Sequence, residues 1–234
     1  MDFLPQLALD IRLGSGVSFE GFYPGANEQA LTVVRELAAG RGEPFLYLHG
    51  AAGLGKSHLL QAACQAAARD GAAVAYLPLS EAAQWSPEVL DGLESLSLVA
   101  IDDLQCVADK PEWQEALFHL YNRLRDASAR LLVAADRRPA ELGLALPDLV
   151  SRLQWGLVLR LEDLDDQQKL EGLRFRARCR GFELPQETAQ YLLAHYPRQL
   201  GTLFGLLDRL DEASLMAQRR LTIPFVKKAL ETAE

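Results

Sequence analysis

The chain has 234 residues, 49% of them hydrophobic and 24% charged, with a net charge of −8, which suits a globular protein with room for one αβ core and a smaller second unit. Residues 1–160 hold 13 basic against 20 acidic side chains and residues 161–234 hold 11 against 12, so no broad basic surface and no autonomous specific DNA binding are expected. Cys64, Cys106 and Cys179 form no C-x-x-C pair, the histidines are scattered, and no segment reads as a signal peptide or membrane span, so disulfide, zinc and membrane classes drop out and a cytoplasmic location is expected.

After a short leader, apolar strand candidates at 45–49, 73–77, 97–101, 130–135 and 156–161 alternate with helix candidates, which predicts a parallel sheet with crossover helices. Between the first strand and the next helix stands Gly50-Ala51-Ala52-Gly53-Leu54-Gly55-Lys56-Ser57, a G-x-x-x-x-G-K-[ST] phosphate loop followed by His58, and Gly50, Gly53, Leu54, Gly55, Lys56, Ser57 and His58 are expected to contact the nucleotide. Its glycines permit a tight turn whose backbone N–H groups face phosphates, Lys56 reaches the β/γ-phosphates and Ser57 offers a hydroxyl to Mg²⁺. A glycine-rich turn with a chance Lys-Ser is the plain alternative, and the loop alone is silent on hydrolysis.

The third strand closes in Ile101-Asp102-Asp103, the Walker B pattern, in which Asp102 is expected to hold Mg²⁺ and Asp103 to orient a water at the sheet's C-terminal edge, with a strand followed by an Asp-Asp turn as the plain alternative. The helix candidate 112–126 carries Trp113, Leu117, Leu120, Tyr121 and Leu124 at helical spacing, as core residues. The fourth strand ends at Asp136, which suits either a helix cap or a polar group beside the γ-phosphate. Arg152 lies on a short amphipathic stretch before the fifth strand, as a solvated arginine or a finger toward a neighbouring nucleotide. From Asp165 the pattern is helical only, over 165–180, 186–195, 198–219 and 224–233, which predicts a helical lid.

Phe19-Glu20-Gly21-Phe22, the GAAGLGKSHLLQAA loop and helix, AIDDLQ, AADRRPAEL and LVSRLQWGL together resemble the AAA+ module of the bacterial replication initiator DnaA over about residues 15–210. The resemblance implies an α/β P-loop NTPase fold, a five-stranded parallel sheet flanked by helices over 15–162 and a small all-α lid over 163–234. It implies that Arg152 is an arginine finger acting in trans, Asp136 the first sensor and Arg198, in Arg198-Gln199-Leu200, the second sensor. By the same resemblance Phe22, Tyr23 and Pro24 line the base, the cofactors are ADP or ATP with Mg²⁺, and self-association runs through AAA+ surfaces.

Near the start, Gln6-Leu7-Ala8-Leu9-Asp10-Ile11 resembles a sliding-clamp-binding peptide, with Gln6, Leu7, Leu9 and Ile11 at the matching positions, so residues 1–14 are expected to bind the clamp. Asp10 departs from the Pro that many such peptides carry, and an edge strand is the alternative. No basic helix-turn-helix segment follows the lid, and the sequence closes with Arg219-Arg220-Leu221-Thr222-Ile223-Pro224-Phe225-Val226-Lys227 shortly before its end. This combination resembles the Hda family of DnaA-related regulators. It implies a nucleotide-bound protein, with ADP the expected nucleotide, tethered to the DNA-loaded β clamp of DNA polymerase III. Such a protein stimulates hydrolysis of DnaA-bound ATP and has weak activity of its own. Two rivals stay open: a stand-alone ATPase or helicase loader, which predicts steady turnover, and an adaptor promoting DnaA assembly at the origin, which predicts more DnaA-ATP.

Overall fold

The computed structural model describes residues 17–217 and 221–231. The clamp-type peptide Gln6–Ile11, like Arg219 and Arg220, lies outside the described residues. Two compact units emerge. One holds the described residues up to Phe19 with 29–50 and 56–160; the other holds 20–28, 51–55 and the described residues from Leu161 onward.

The first unit is built on five parallel strands, β1 (Phe45–His49), β2 (Val74–Pro78), β3 (Leu98–Asp102), β4 (Arg130–Ala135) and β5 (Leu157–Arg160), in the order β2-β3-β4-β1-β5. Every residue of β1 and β3 is buried. Such uninterrupted apolar runs belong to strands covered on both faces. Phe45, Tyr47, Val99, Ile101, Leu131 and Val133 share a core with Trp113, Leu117, Leu120, Tyr121 and Leu124 of α3 (Pro111–Asp126). The alternate residues Leu46, Leu48, Ala100 and Leu132 are equally buried on the other face, where α2 (Lys56–Arg69) packs over β2, β3 and β4.

Two helices extend the sequence reading of this region. One is α1 (Glu28–Ala38), whose Leu31, Val34, Leu37 and Ala38 form a buried stripe. The other is α4 (Pro147–Trp155), started by a proline at its first position and anchored by Leu149 and Leu153.

The second unit collects α5 (Asp166–Cys179), α6 (Gln186–His195), α7 (Leu200–Ala217) and α8 (Ile223–Glu231) around Leu173, Leu192, Leu203, Leu207, Leu210 and Val226. Asp165 starts α5 with a capping box: its side chain accepts from the Gln168 N–H at 2.7 Å, and the Gln168 side chain accepts from the Asp165 N–H at 3.1 Å. The third helix of this unit begins at Leu200, so Arg198 and Gln199 form its approach and not its first turn. No helix among the described residues is long and apolar enough to cross a membrane.

Candidate functional site

The loop from Gly50 to Gly55 joins the end of β1 to Lys56, the first residue of α2. Gly53 and Gly55 adopt φ of +81° and +90°, where a side chain is strained. Space is decisive at Gly55, because a Cβ there would lie 2.7 Å from Cε2 of the buried Phe22 ring. The opening N–H groups of α2 have no partner within the helix and suit an anion. Lys56 is buried, and its Nζ donates to the Gly50 carbonyl at 2.7 Å. Burial pulls the ammonium below its ordinary pKa, opposed by the carboxylates of Asp102, Asp103 and Asp136.

Those three acids come from two adjacent strands. Asp102 ends β3, 1% exposed; its Oδ2 accepts from the Tyr76 hydroxyl at 2.8 Å, its Oδ1 accepts from the Asp103 N–H at 2.9 Å, and the Ser57 hydroxyl also donates to it. Burial raises its pKa, against the Ser57, Tyr76 and Asp103 N–H hydrogen bonds, and the neighbouring Asp103 charge adds to the rise. Gln61 of α2 donates to the Tyr76 oxygen at 3.3 Å. Asp103 sits in the left-handed region at φ 55°, and its Oδ1 accepts from Gln105 Nε2 at 2.9 Å. The Oε1 of Gln105 accepts from the Asp136 N–H at 3.1 Å. Because β4 lies between β1 and β3, Asp136 emerges between the phosphate-loop strand and the acid-bearing strand. Arg137 donates twice to its carboxylate, at 3.0 and 2.7 Å, and holds it below the usual carboxylate range.

Ser57 and Asp102 are in direct contact and present hard oxygens. That donor set fits Mg²⁺, which takes one or two protein ligands and completes its shell with phosphates and water.

The second unit carries the other expected contacts. Tyr23 donates to Glu171 Oε2 at 2.8 Å and packs 5.7 Å from the Phe175 ring; burial, with Glu171 beside it, pushes its phenol up to about 12. Pro24 leads into a 3-10 turn at Gly25–Asn27. Arg198 pairs with Asp166 at 3.1 Å, both side chains more than half exposed. Its neighbour Gln199 lies against the loop, with Cβ 3.8 Å from a Cβ placed on Gly53. In the first unit His58, counted among the nucleotide contacts from the sequence, has its Nε2 2.7 Å from the Ser18 carbonyl. Arg152 projects from α4 with its Cζ 5.1 Å from the Trp155 ring centre.

Residues 13–160 match the family described as the bacterial DnaA ATPase domain, and residues 166–230 match the one described as the Hda lid domain. The chain belongs to the bacterial DnaA ATPase family. Among solved structures it is similar to domain III of DnaA from Thermotoga maritima, at 25% identity and a TM-score of 0.78 over 94% of this chain and 97% of that one. It is also similar to AMPPCP-bound DnaA from Aquifex aeolicus, at 28% identity and a TM-score of 0.73 over 86% of this chain and 66% of that one. The Holliday junction branch migration motor RuvB of Thermotoga maritima shares the fold at 19% identity and a TM-score of 0.66, over 92% and 73% of the two chains.

Three residues of this DnaA-family site carry no signal in the sequence reading. Tyr76 of β2 donates to Asp102, and Gln61 of α2 donates to the Tyr76 oxygen, from elements whose patterns report only burial and helicity. Gln105 lies inside AIDDLQ, yet only the fold shows that it spans from Asp103 to Asp136.

Proposed function

We propose that this DnaA-family chain regulates replication initiation: it holds an adenine nucleotide, ADP at rest, rides on the DNA-loaded sliding clamp, and stimulates hydrolysis of ATP bound to DnaA. The observation that carries this reading is the succession of a DnaA-type ATPase match and an Hda-type lid match in one chain. Nucleotide binding is further supported by the AMPPCP-bound state of the Aquifex aeolicus DnaA structure.

In this reading the backbone of residues 50–55, with Lys56, holds the phosphates, and Ser57 and Asp102 hold Mg²⁺, which neutralises phosphate charge when bound. Asp103 and Asp136 serve as the water-orienting acid and the first sensor. Arg198 is the second sensor, and Phe22, Tyr23 and Pro24 line the base. Arg152 acts in trans, placing its guanidinium against the charge that develops on the γ-phosphoryl group of DnaA-bound ATP. Such fingers accelerate other NTPases by about 10³–10⁵. Residues 1–14, through Gln6, Leu7, Leu9 and Ile11, dock on the clamp, which raises the local concentration of the regulator at replicating DNA. Residues 15–162 form the ATPase module and 163–234 the lid, with self-association through AAA+ surfaces.

The test is DnaA-bound ATP hydrolysis with and without this protein and clamp-loaded DNA. Conversion of DnaA-ATP to DnaA-ADP only when both are present is the expected result, and no acceleration overturns the reading. A second reading, a stand-alone ATPase, is favoured by one observation: Lys56, Asp102, Asp103 and Gln105 form an intact constellation. Steady ATP turnover by the protein alone would establish it.

A further inference from the structure

We propose that Trp155 is a positioning residue: its indole carries the half-buried Arg152 guanidinium and limits the directions it can take, ready for a phosphoryl group on a partner. The inference rests on reading Arg152 as a finger. Positions 152 and 155 are three apart on α4 and therefore share a face. Arg152 Cζ lies 5.1 Å from the indole centre, and Arg125 Cζ, from the last turn of α3, lies 5.7 Å from the same ring. Both distances are those of a cation over an aromatic face.

Core packing does not account for this tryptophan. Trp155 is 67% exposed and is the one exposed large hydrophobic side chain among the described residues, whereas Trp113 is buried. Leu149 and Leu153 anchor the same helix on its inner side, so the indole is spared that task. Arg125 has the Asp126 carboxylate 3.6 Å away, while Arg152 has no carboxylate partner among the described residues; the Tyr121 phenol lies near it, and the indole is the aromatic face on which its guanidinium rests. An arginine already resting on a flat face loses fewer rotamers when it engages a phosphoryl group. The finger-dependent rate should therefore depend on Trp155, and docking affinity should not.

The experiment titrates clamp-loaded protein against DnaA-ATP and separates the maximal hydrolysis rate from the half-saturating concentration, for the unmodified protein, Trp155→Phe, Trp155→Leu, Arg152→Ala and the Arg152→Ala/Trp155→Leu double variant. Trp155→Leu should lower the maximal rate about threefold to tenfold with half-saturation unchanged. Trp155→Phe should recover most of the loss, and Trp155→Leu should add nothing once Arg152 is removed. A shifted half-saturation with the maximal rate intact would make Trp155 a docking anchor and overturn the proposal, as would an undiminished effect in the Arg152→Ala background. Proton NMR of the isolated protein supplies a readout without DnaA: the Arg152 side-chain resonances, assigned by their loss in Arg152→Ala, should be shifted upfield by the ring and return in Trp155→Leu. No upfield shift overturns the proposal directly. A clear shift in a protein that fails to stimulate hydrolysis removes the finger reading, and the positioning role with it, while the stack itself stands.

Discussion

The surroundings of Asp102 and those of Arg152 solve opposite problems within one unit. Asp102 is nearly inaccessible and satisfied by Tyr76, Ser57 and the Asp103 N–H, and Lys56 is buried beside it. Arg152 leans on an exposed indole at the end of α4. Burial raises the pKa of Asp102 and lowers that of Lys56, so in each the charged form comes at a cost to the fold. In the proposed reading that cost falls when phosphate meets the lysine and a cation meets the carboxylate. The half-buried arginine, resting on an exposed ring, imposes no comparable cost. Function is thus bought with stability at the interior site and is nearly free of it at the surface, and substitutions should separate accordingly.

The largest expected effect is at the surface. Arg152→Ala should cut stimulated DnaA-ATP hydrolysis by about 10³-fold or more, while its own ADP affinity holds and its stability changes by less than about 0.5 kcal/mol. Hydrolysis assays paired with calorimetry and thermal melts read all three, and loss of its own ADP binding would place Arg152 in cis. Lys56→Ala should come next, weakening ADP binding by at least about 100-fold through loss of a buried charge-assisted partner of the phosphates. Unchanged affinity by titration calorimetry would dissolve the interior half of the comparison.

Asp102→Asn sharpens the comparison in the other direction. It should raise the melting temperature of the nucleotide-free protein at pH 7 while abolishing the Mg²⁺ dependence of nucleotide binding. The sign follows from the raised pKa: the folded state favours protonated Asp102, so the favourable contribution is complete below the unfolded carboxyl value and is lost as pH rises through the folded value, whereas an uncharged Asn bears no such loss. A drop in melting temperature would mean that the ionised hydrogen-bond network outweighs desolvation. The smallest effect belongs to Asp166→Ala, which frees Arg198. The pair is exposed, so stability should fall by no more than about 1 kcal/mol, and a larger shift in a thermal melt would show that the pair braces the start of α5.

What the sequence discloses about the site follows chain continuity. The phosphate loop and the acid pair that closes and follows β3 are legible because they lie in unbroken stretches, and Asp136 is legible because it directly follows the apolar run of β4. The five strands appear within a residue or two of their places, since buried parallel strands read as plain apolar runs. Helix α1 carries a legible stripe in Leu31, Val34 and Leu37, but it lies in a segment read only as a leader to the first strand. Tyr76 and Gln105 escape for a different reason: a hydrogen bond across the sheet has no period, and only strand order brings β2 beside β3 and β3 beside β4. The exposure of Trp155 is likewise invisible, because an aromatic residue at the end of an amphipathic stretch reads as core.

The position of β1 bears on how the protein is made. The strand that precedes the phosphate loop comes before the other four strands of the sheet, yet both its hydrogen-bonded neighbours, β4 and β5, are the last of the five, with Leu46 paired to Leu132 and Leu157. Contacts of such long sequence separation form late. During synthesis β1 waits unpaired until β4 through Ala135 has left the ribosome, and its second edge waits for β5 through Arg160. A truncated product ending before β4 would hold the whole loop motif in its sequence and still have no sheet edge on which to mount it.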